Sequence, residues 1–193
     1  LMASARWLIL TAGTDWILPC TLPVSNIAGN GATIRGSALS EPDCDAFGLR
    51  GMQKETITGP AGTLQVLVEQ PASEPKALAI VCHPHPLHGG SLNNKIVHQL
   101  SRTFTGMQAI SVRFNFRGVD ESGGEYDEGR GELEDLFAVS AWALQRWPGL
   151  PLWLGGFSFG GFIAIQGAAQ LGPQRLVTVA PAVNYFPGQR IDM

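Results

Sequence analysis

The residues of this chain best suited to do chemistry lie at 156–160, where the sequence reads Gly-Phe-Ser-Phe-Gly. The apolar run 152–154 before them is typical of a buried strand, and the small and apolar residues of 160–169 favour a helix. A serine between such a strand and such a helix is typical of a nucleophile elbow, a sharp turn that exposes the hydroxyl group. We therefore predict that Ser158 is a catalytic nucleophile. The alternative is an ordinary glycine-rich turn with an idle serine.

A second polar cluster follows another apolar run, 77–82, which predicts a central parallel strand. The loop after it, 83–90, contains three of the four histidines of the chain. Ligands of open α/β sheets bind beyond the carboxyl ends of the strands, so this loop is expected at a binding edge. Two alternatives remain open: a metal site built on the H-x-H pattern, and a polar loop with solvated histidines. Cys82 is expected to be a small core residue.

Acyl transfer requires backbone N–H groups that face the developing oxyanion, and two residues are candidates for them. One donor comes from the residue after the nucleophile, here Phe159, and the other from a loop after the third strand. Pro84 and Pro86 have no N–H to donate. His85 is therefore the predicted second donor, and Leu87 is the fallback.

The remaining pattern alternates between helices and strands, with a glycine-rich acidic loop at 117–124. Turn glycines and solvated charges explain most of that loop, and Asp135 is expected to face solvent or a neighbouring loop without a chemical role. Periodicity predicts a hairpin of strands 55–58 and 64–68, a helix over 94–104, a strand over 109–114, a helix over 132–147 and a strand over 175–180.

Four segments together resemble the α/β-hydrolase superfamily, in particular small bacterial serine hydrolases akin to dienelactone hydrolases. They are C-H-P-H-P at 82–86, G-G-S-L-N-N-K at 89–95, V-R-F-N-F-R-G-V at 112–119 and G-G-F-S-F-G-G at 155–161. The resemblance implies a three-layer α/β fold over 52–193, with a mostly parallel sheet and helices on both faces. Asp120 departs from the glycine often found at that loop position in the superfamily.

The same resemblance implies a site with Ser158 as nucleophile, the N–H groups of Phe159 and His85 as oxyanion hole, and an acid and a histidine later in the chain. No histidine follows Ser158, and Asp192 is the last carboxylate and the only one after it. We therefore expect the acid, the base and the last strands and helices beyond Met193. Asp192 as the acid, or a rearranged triad that uses an upstream histidine, are the alternatives.

Residues 1–51 show no helical or strand period and are expected to be an extension outside the domain. A secretory signal is the competing interpretation, because Arg6 precedes the short apolar run 7–12. Two of the three cysteines, Cys20 and Cys44, lie in this segment and suggest no disulfide framework.

Composition indicates a single globular domain, with 45% hydrophobic and 15% charged residues and a net charge of −3. Nothing in it points to nucleic acid or to an anionic membrane surface, and no apolar run approaches the length of a membrane span. We expect a cytoplasmic protein that needs no cofactor or metal, with the oligomeric state left open.

The predicted function is hydrolysis of a small carboxylic ester, or of a thioester, through an acyl-enzyme on Ser158. Two alternatives remain: an acyltransferase that uses the same serine, and a non-catalytic α/β module that binds a ligand in the same cleft.

Overall fold

The fold is taken from a computed structural model, which describes residues 49–183. The predictions for 1–48, including Cys20, Cys44 and the signal alternative, and those for Asp192 and the final strands lie outside the described residues. The first strand begins at Leu49, so 49–51 belong to the sheet.

Strands and helices alternate after an initial hairpin, as the periodicity predicts. They are β1 (Leu49–Gly59), β2 (Gly62–Pro71), β3 (Ala77–Cys82), α1 (Lys95–Gly106), β4 (Ala109–Phe114), α2 (Arg130–Arg146), β5 (Leu152–Phe157), α3 (Phe159–Leu171) and β6 (Arg175–Val179). A short 3-10 helix, Pro86–His88, follows β3.

The six described strands form one sheet in the order β1-β2-β4-β3-β5-β6. The hairpin strands β1 and β2 pair antiparallel with each other, and β2 pairs antiparallel with β4. The other pairings, β4 with β3, β3 with β5, and β5 with β6, are parallel. The strand order therefore reverses at β3, and the carboxyl ends of β3 and β5 lie side by side at this switch point, where open α/β sheets bind ligands.

Helices cover both faces of the sheet, which confirms the predicted three layers. In β3, Ala77, Ala79 and Val81 pack with Val97 and Phe104 of α1. The alternate residues of β3 face the opposite layer, in a cluster that also contains residues of α2 and α3. Because successive side chains of a strand point to opposite faces, a strand buried on both sides is apolar throughout, as 77–82 is. Cys82 is buried as predicted, and burial raises the pKa of its thiol.

The buried face of α2 agrees with the predicted stripe only in part, and Asp135 is buried against the neighbouring loop after β4, the second of its two expected environments, and not in solvent. The pattern predicts a stripe of six residues, Leu133, Leu136, Phe137, Ser140, Ala141 and Leu144. Leu136 and Ser140 are buried and Leu133, Phe137 and Leu144 are half-buried, but Ala141 is exposed. The buried face of α2 therefore overlaps the predicted stripe and extends beyond it to Asp135 and Val139. Its buried members are Gly131, Glu132, Asp135, Leu136, Val139, Ser140 and Ala143.

No helix in residues 49–183 is long and apolar enough to cross a lipid bilayer.

Candidate active site

Ser158 lies at the turn between β5 and α3 and has an unusual backbone conformation, with φ 53° and ψ −116°. Residues other than glycine rarely adopt a positive φ, and such strain persists only where the surroundings fix it. Here the N–H of Ser158 donates to the carbonyl of Val179 at 2.9 Å, and its own carbonyl accepts from Phe162 and Ala182 at 3.1 Å each. The neighbouring strand and helix thus hold the serine in the strained turn.

Two glycines allow this turn to form without steric conflict. A Cβ atom on Gly156 would lie 2.3 Å from the carbonyl oxygen of Gly160, on the first turn of α3. A Cβ atom on Gly160 would lie 2.3 Å from the carbonyl oxygen of His83 and 2.4 Å from that of Cys82. The G-x-S-x-G spacing therefore has a physical cause, since both glycines stand where the backbones of α3, β3 and β5 touch.

His83, at the end of β3, is a buried structural residue. Its Nε2 accepts from the N–H of Phe116 at 3.0 Å, and its Nδ1 lies 2.6 Å from the carbonyl oxygen of Pro84. These partners require the neutral tautomer that carries its proton on Nδ1. Burial lowers the pKa of His83 to about 4, although the Pro84 contact and Asp120 favour the charged form. The imidazole joins the loop after β3 to the loop after β4.

His85 caps the short 3-10 helix that follows it. Its Nδ1 accepts from the N–H of Leu87 at 3.2 Å, and its carbonyl accepts from His88 and Gly90, each at 3.1 Å. The N–H of Leu87, the fallback donor, is therefore already bonded within the loop. The N–H of His85 has no acceptor within residues 49–183. Of the two candidates, His85 is thus the one able to donate to a ligand.

The structure brings His85 and Phe159 together. Their rings have centroids 5.1 Å apart, and both rings contact Tyr126, at 4.8 Å and 6.0 Å respectively. Ser158, immediately before Phe159, lies at the same edge of the sheet. The three predicted site residues are therefore neighbours, and Tyr126, from the loop after β4, is a fourth residue that no sequence motif singles out.

No hydrogen bond joins the Ser158 side chain to any of the four histidines, all of which lie in the described part of the chain. His98 is on α1, the helix that covers the face of the sheet opposite α3. The alternative of a rearranged triad with an upstream histidine finds no support in these positions.

Comparison with solved structures places this arrangement in a known group. An α/β serine hydrolase without a lid from Xanthomonas campestris is 41% identical, with a TM-score of 0.66, over 68% of this chain and 62% of its own length. An α/β serine hydrolase homologue from Coxiella burnetii is 45% identical, with a TM-score of 0.68, over 69% of this chain and 64% of its own. This chain belongs to the α/β-hydrolase superfamily.

Other comparisons agree on the extent of the match. An uncharacterised protein of Rickettsia prowazekii is 36% identical over 131 residues, which are 67% of this chain and 51% of that protein. This α/β-hydrolase chain thus spans about half the length of that curated relative, and less than two thirds of the two solved structures. No family model matches it.

The histidine loop of this α/β-hydrolase chain does not form a metal centre in the described structure. Both ring nitrogens of His83 are engaged by backbone groups, and Nδ1 of His85 is engaged by Leu87. Among residues 49–183, no group of three potential ligands is arranged to hold a metal ion. The interpretation of solvated histidines fails for His83, which is fully buried.

The acidic loop after β4 is anchored to α2 by a buried ion pair, although solvated charges were predicted for this loop. Arg117 forms a bidentate ion pair with Asp135, with contacts of 2.9 to 3.2 Å, and its N–H also donates to that carboxylate at 2.9 Å. Burial raises the pKa of Asp135, while the hydrogen bonds from Arg117 oppose the rise. Gly131 makes room, because a Cβ atom there would lie 2.0 Å from the Arg117 guanidinium. The sequence did contain a signal for this buried ion pair, because Asp135 lies on the buried face of α2, one helical turn after Gly131.

A second buried network holds the segment between the histidine loop and α1. Arg113 pairs with Glu69 at 3.0 Å and donates to the Leu92 carbonyl at 2.7 Å, while Asn115 accepts from the Leu92 N–H at 2.7 Å. Ser101 also donates to Glu69. Two residues at the end of β4 and just after it therefore bind both backbone groups of Leu92 in the G-G-S-L segment, a role that the prediction of β4 as a buried strand did not include.

The β1–β2 hairpin supports the loop that carries Tyr126. The N–H of Gly123 donates to the Thr63 carbonyl at 2.8 Å, and the N–H of Gln65 donates to Oγ of Ser122 at 3.0 Å. Asn115 donates to Oε1 of Gln65 at 2.6 Å. The first two strands thus contact the edge at which Ser158 lies.

Proposed function

We propose that the full-length protein is a serine hydrolase that cleaves small carboxylic esters through an acyl-enzyme intermediate on Ser158. The observation that carries the proposal is the strained Ser158 turn at the switch point of the sheet, beside a loop whose His85 N–H has no acceptor within residues 49–183. Two solved relatives over 40% identical are described as an α/β serine hydrolase and a homologue of one.

In the proposed reaction, Oγ of Ser158 attacks the ester carbonyl and transfers its proton to a histidine. The carbonyl oxygen becomes an oxyanion, which accepts hydrogen bonds from the N–H groups of Phe159 and His85. The C–O bond to the alcohol then breaks, and the leaving alkoxide receives the proton from the imidazolium. Water attacks the acyl-enzyme by the reverse sequence, which releases the acid and restores Ser158.

The histidine of this scheme is assigned to a part of the full-length protein outside the 193 residues. All four histidines of the chain have other positions or partners: His83 and His85 are bonded within their loops, His88 is on the 3-10 helix, and His98 is on α1. The acid that orients the base is assigned in the same way, as the order Ser, acid, His in this superfamily implies.

Small, water-soluble esters are the preferred substrate class. The Xanthomonas relative is described as lacking a lid, the kind of element that closes over a bound substrate and shields it from water. A site without such a cover suits a small soluble ester better than a long apolar chain. Thioesters are chemically accessible to the same acyl-enzyme route and are the second substrate class to assay.

Labelling with a fluorophosphonate probe tests the assignment of Ser158. The full-length protein and Ser91→Ala, which removes another serine near the same edge, are expected to incorporate one probe molecule, whereas Ser158→Ala is expected to incorporate none. p-Nitrophenyl acetate hydrolysis should fall in Ser158→Ala by at least about 10³-fold. Absence of labelling in the wild-type protein would favour a ligand-binding module. Labelling with acyl transfer to an added alcohol or thiol, but no hydrolysis, would favour an acyltransferase.

A further inference from the structure

We propose that the imidazole of His85 is a positioning residue of the oxyanion hole, which fixes the two backbone donors relative to each other through one hydrogen bond and one ring contact. This inference rests on the proposed function, because it assigns a role to the side chain of a residue whose backbone N–H is one of the donors.

The first contact fixes the orientation of the His85 peptide. The side chain accepts from the Leu87 N–H at 3.2 Å, while the His85 carbonyl accepts from His88 and Gly90. A Cβ atom on Gly90 would lie 2.0 Å from the Pro84 carbonyl oxygen, so the loop closes tightly on itself. With its carbonyl and its imidazole both bonded inside this closed loop, the N–H of His85 is left as the group that can donate outside it.

The second contact connects the two donor residues. The His85 ring lies 5.1 Å from the ring of Phe159, and the Tyr126 ring contacts both of them. Phe159 is fully buried and begins α3, so it cannot move without the helix. His85 is instead on a loop, whose start is held against α3 by the close approach of Gly160 to the His83 carbonyl, and the ring contact adds a tie at His85 itself. The distance between the two backbone donors therefore depends on the His85 side chain.

The hydrogen bond requires the neutral form of His85. Nδ1 must be unprotonated to accept from Leu87, which places the ring proton on Nε2. Partial burial and the neighbouring His88 lower the pKa of His85, which favours the acceptor form at neutral pH. The groups that face the ring are His88 on the 3-10 helix, Tyr126 on the loop after β4 and the apolar Phe159 on α3.

Three substitutions in the full-length protein separate the two contacts. His85→Asn keeps an acceptor near the position of Nδ1 and removes the ring, His85→Phe keeps a ring and removes the acceptor, and His85→Ala removes both. We expect kcat for p-nitrophenyl acetate to fall about 100-fold in His85→Ala, as for loss of one oxyanion donor, and about tenfold in each of the others, with KM within about threefold. His88→Ala, which removes an exposed neighbouring ring, should keep kcat within about twofold.

Amide hydrogen exchange gives a readout that does not depend on catalysis. Protection of the Leu87 amide should be lost in His85→Ala and His85→Phe and retained in His85→Asn. Equal kcat in His85→Ala and wild type, or unchanged Leu87 protection in His85→Phe, would overturn the proposal. If the wild-type protein is neither labelled at Ser158 nor hydrolytic, the proposed function fails, while the exchange measurement still decides whether His85 holds its loop.

Discussion

The backbone N–H of Phe116 donates a 3.0 Å hydrogen bond to Nε2 of His83, so the segments just beyond two adjacent parallel strands are joined through a buried imidazole. The rings of the two residues also pack edge to face, with centroids 4.7 Å apart. A protonated His83 has no lone pair to offer Phe116, and its charge would be buried.

Stability is therefore expected to depend on the protonation of His83. The pKa of its imidazole is lowered from 6.5 to about 4 in the folded protein. Between these values the unfolded chain binds the proton and the folded chain does not, so the free energy of unfolding falls as pH falls from 6.5 towards 4. From pH 7.5 to pH 5 the loss should be roughly 2 kcal/mol. Urea unfolding at the two pH values measures it.

His83→Gln keeps an acceptor for Phe116 but cannot titrate, so its loss of stability between pH 7.5 and pH 5 should be smaller than that of wild type by the same amount. His98→Gln, at an exposed position on α1, serves as the control and should retain most of the wild-type dependence. An identical pH dependence in wild type and His83→Gln would contradict the assignment.

Gly160→Ala is expected to be strongly destabilising, because its Cβ atom would meet the carbonyl oxygens of His83 and Cys82 at 2.3 and 2.4 Å. Both atoms belong to the backbone at the end of β3 and cannot rotate away, so we expect a loss of about 3 kcal/mol in the free energy of unfolding. Gly51→Ala is the matched control, since no atom lies within 4 Å of its Cβ position. Comparable unfolding midpoints for the two variants would argue against the tight contact of α3 with β3.

Asp135→Ala is expected to cost about 3 to 5 kcal/mol of stability, because it leaves the Arg117 guanidinium buried without its main partner. Glu134→Ala removes the other carboxylate that contacts the same guanidinium, but that side chain is 64% exposed, so its loss should cost less than about 1 kcal/mol. Chemical denaturation of both variants makes the comparison. The double variant Arg117→Met with Asp135→Leu should be more stable than Asp135→Ala. A larger effect at Glu134 than at Asp135 would refute the buried pair.

The sequence predicts the central sheet well, because a strand that is buried on both faces has a mostly apolar sequence. The strands 77–82 and 109–114 match the predicted strands residue for residue, and 77–82 is apolar throughout because it is covered on both faces. The G-x-S-x-G turn can also be predicted from the sequence, because its two glycines are required by contacts with backbone atoms close in sequence or on the adjacent strand.

Polar groups that are buried in pairs are harder to predict, because each partner alone resembles a surface residue. Arg117 and Asp135 are 18 positions apart and read separately as a loop charge and a helix charge. Glu69 and Arg113 lie on different strands and become a pair only when β2 and β4 are placed side by side. Tyr126 is likewise recognised as a neighbour of the candidate site only in the folded structure, since His85 and Phe159, which it contacts, come from two other segments.

The β1–β2 hairpin occupies one side of the sheet and contributes none of the proposed reacting groups, so it resembles an appendage that a smaller protein could discard. Hydrogen bonds join Thr63 and Gln65 of the hairpin to Gly123 and Ser122, so the hairpin also positions the loop after β4. A version of the protein shortened to begin at β3 would keep every proposed reacting group of this chain, yet it would lose the hydrogen bonds that hold the loop after β4, which carries Tyr126. Substitutions in β1 and β2, which are remote in sequence from Ser158, are therefore a route to altered substrate preference in directed evolution.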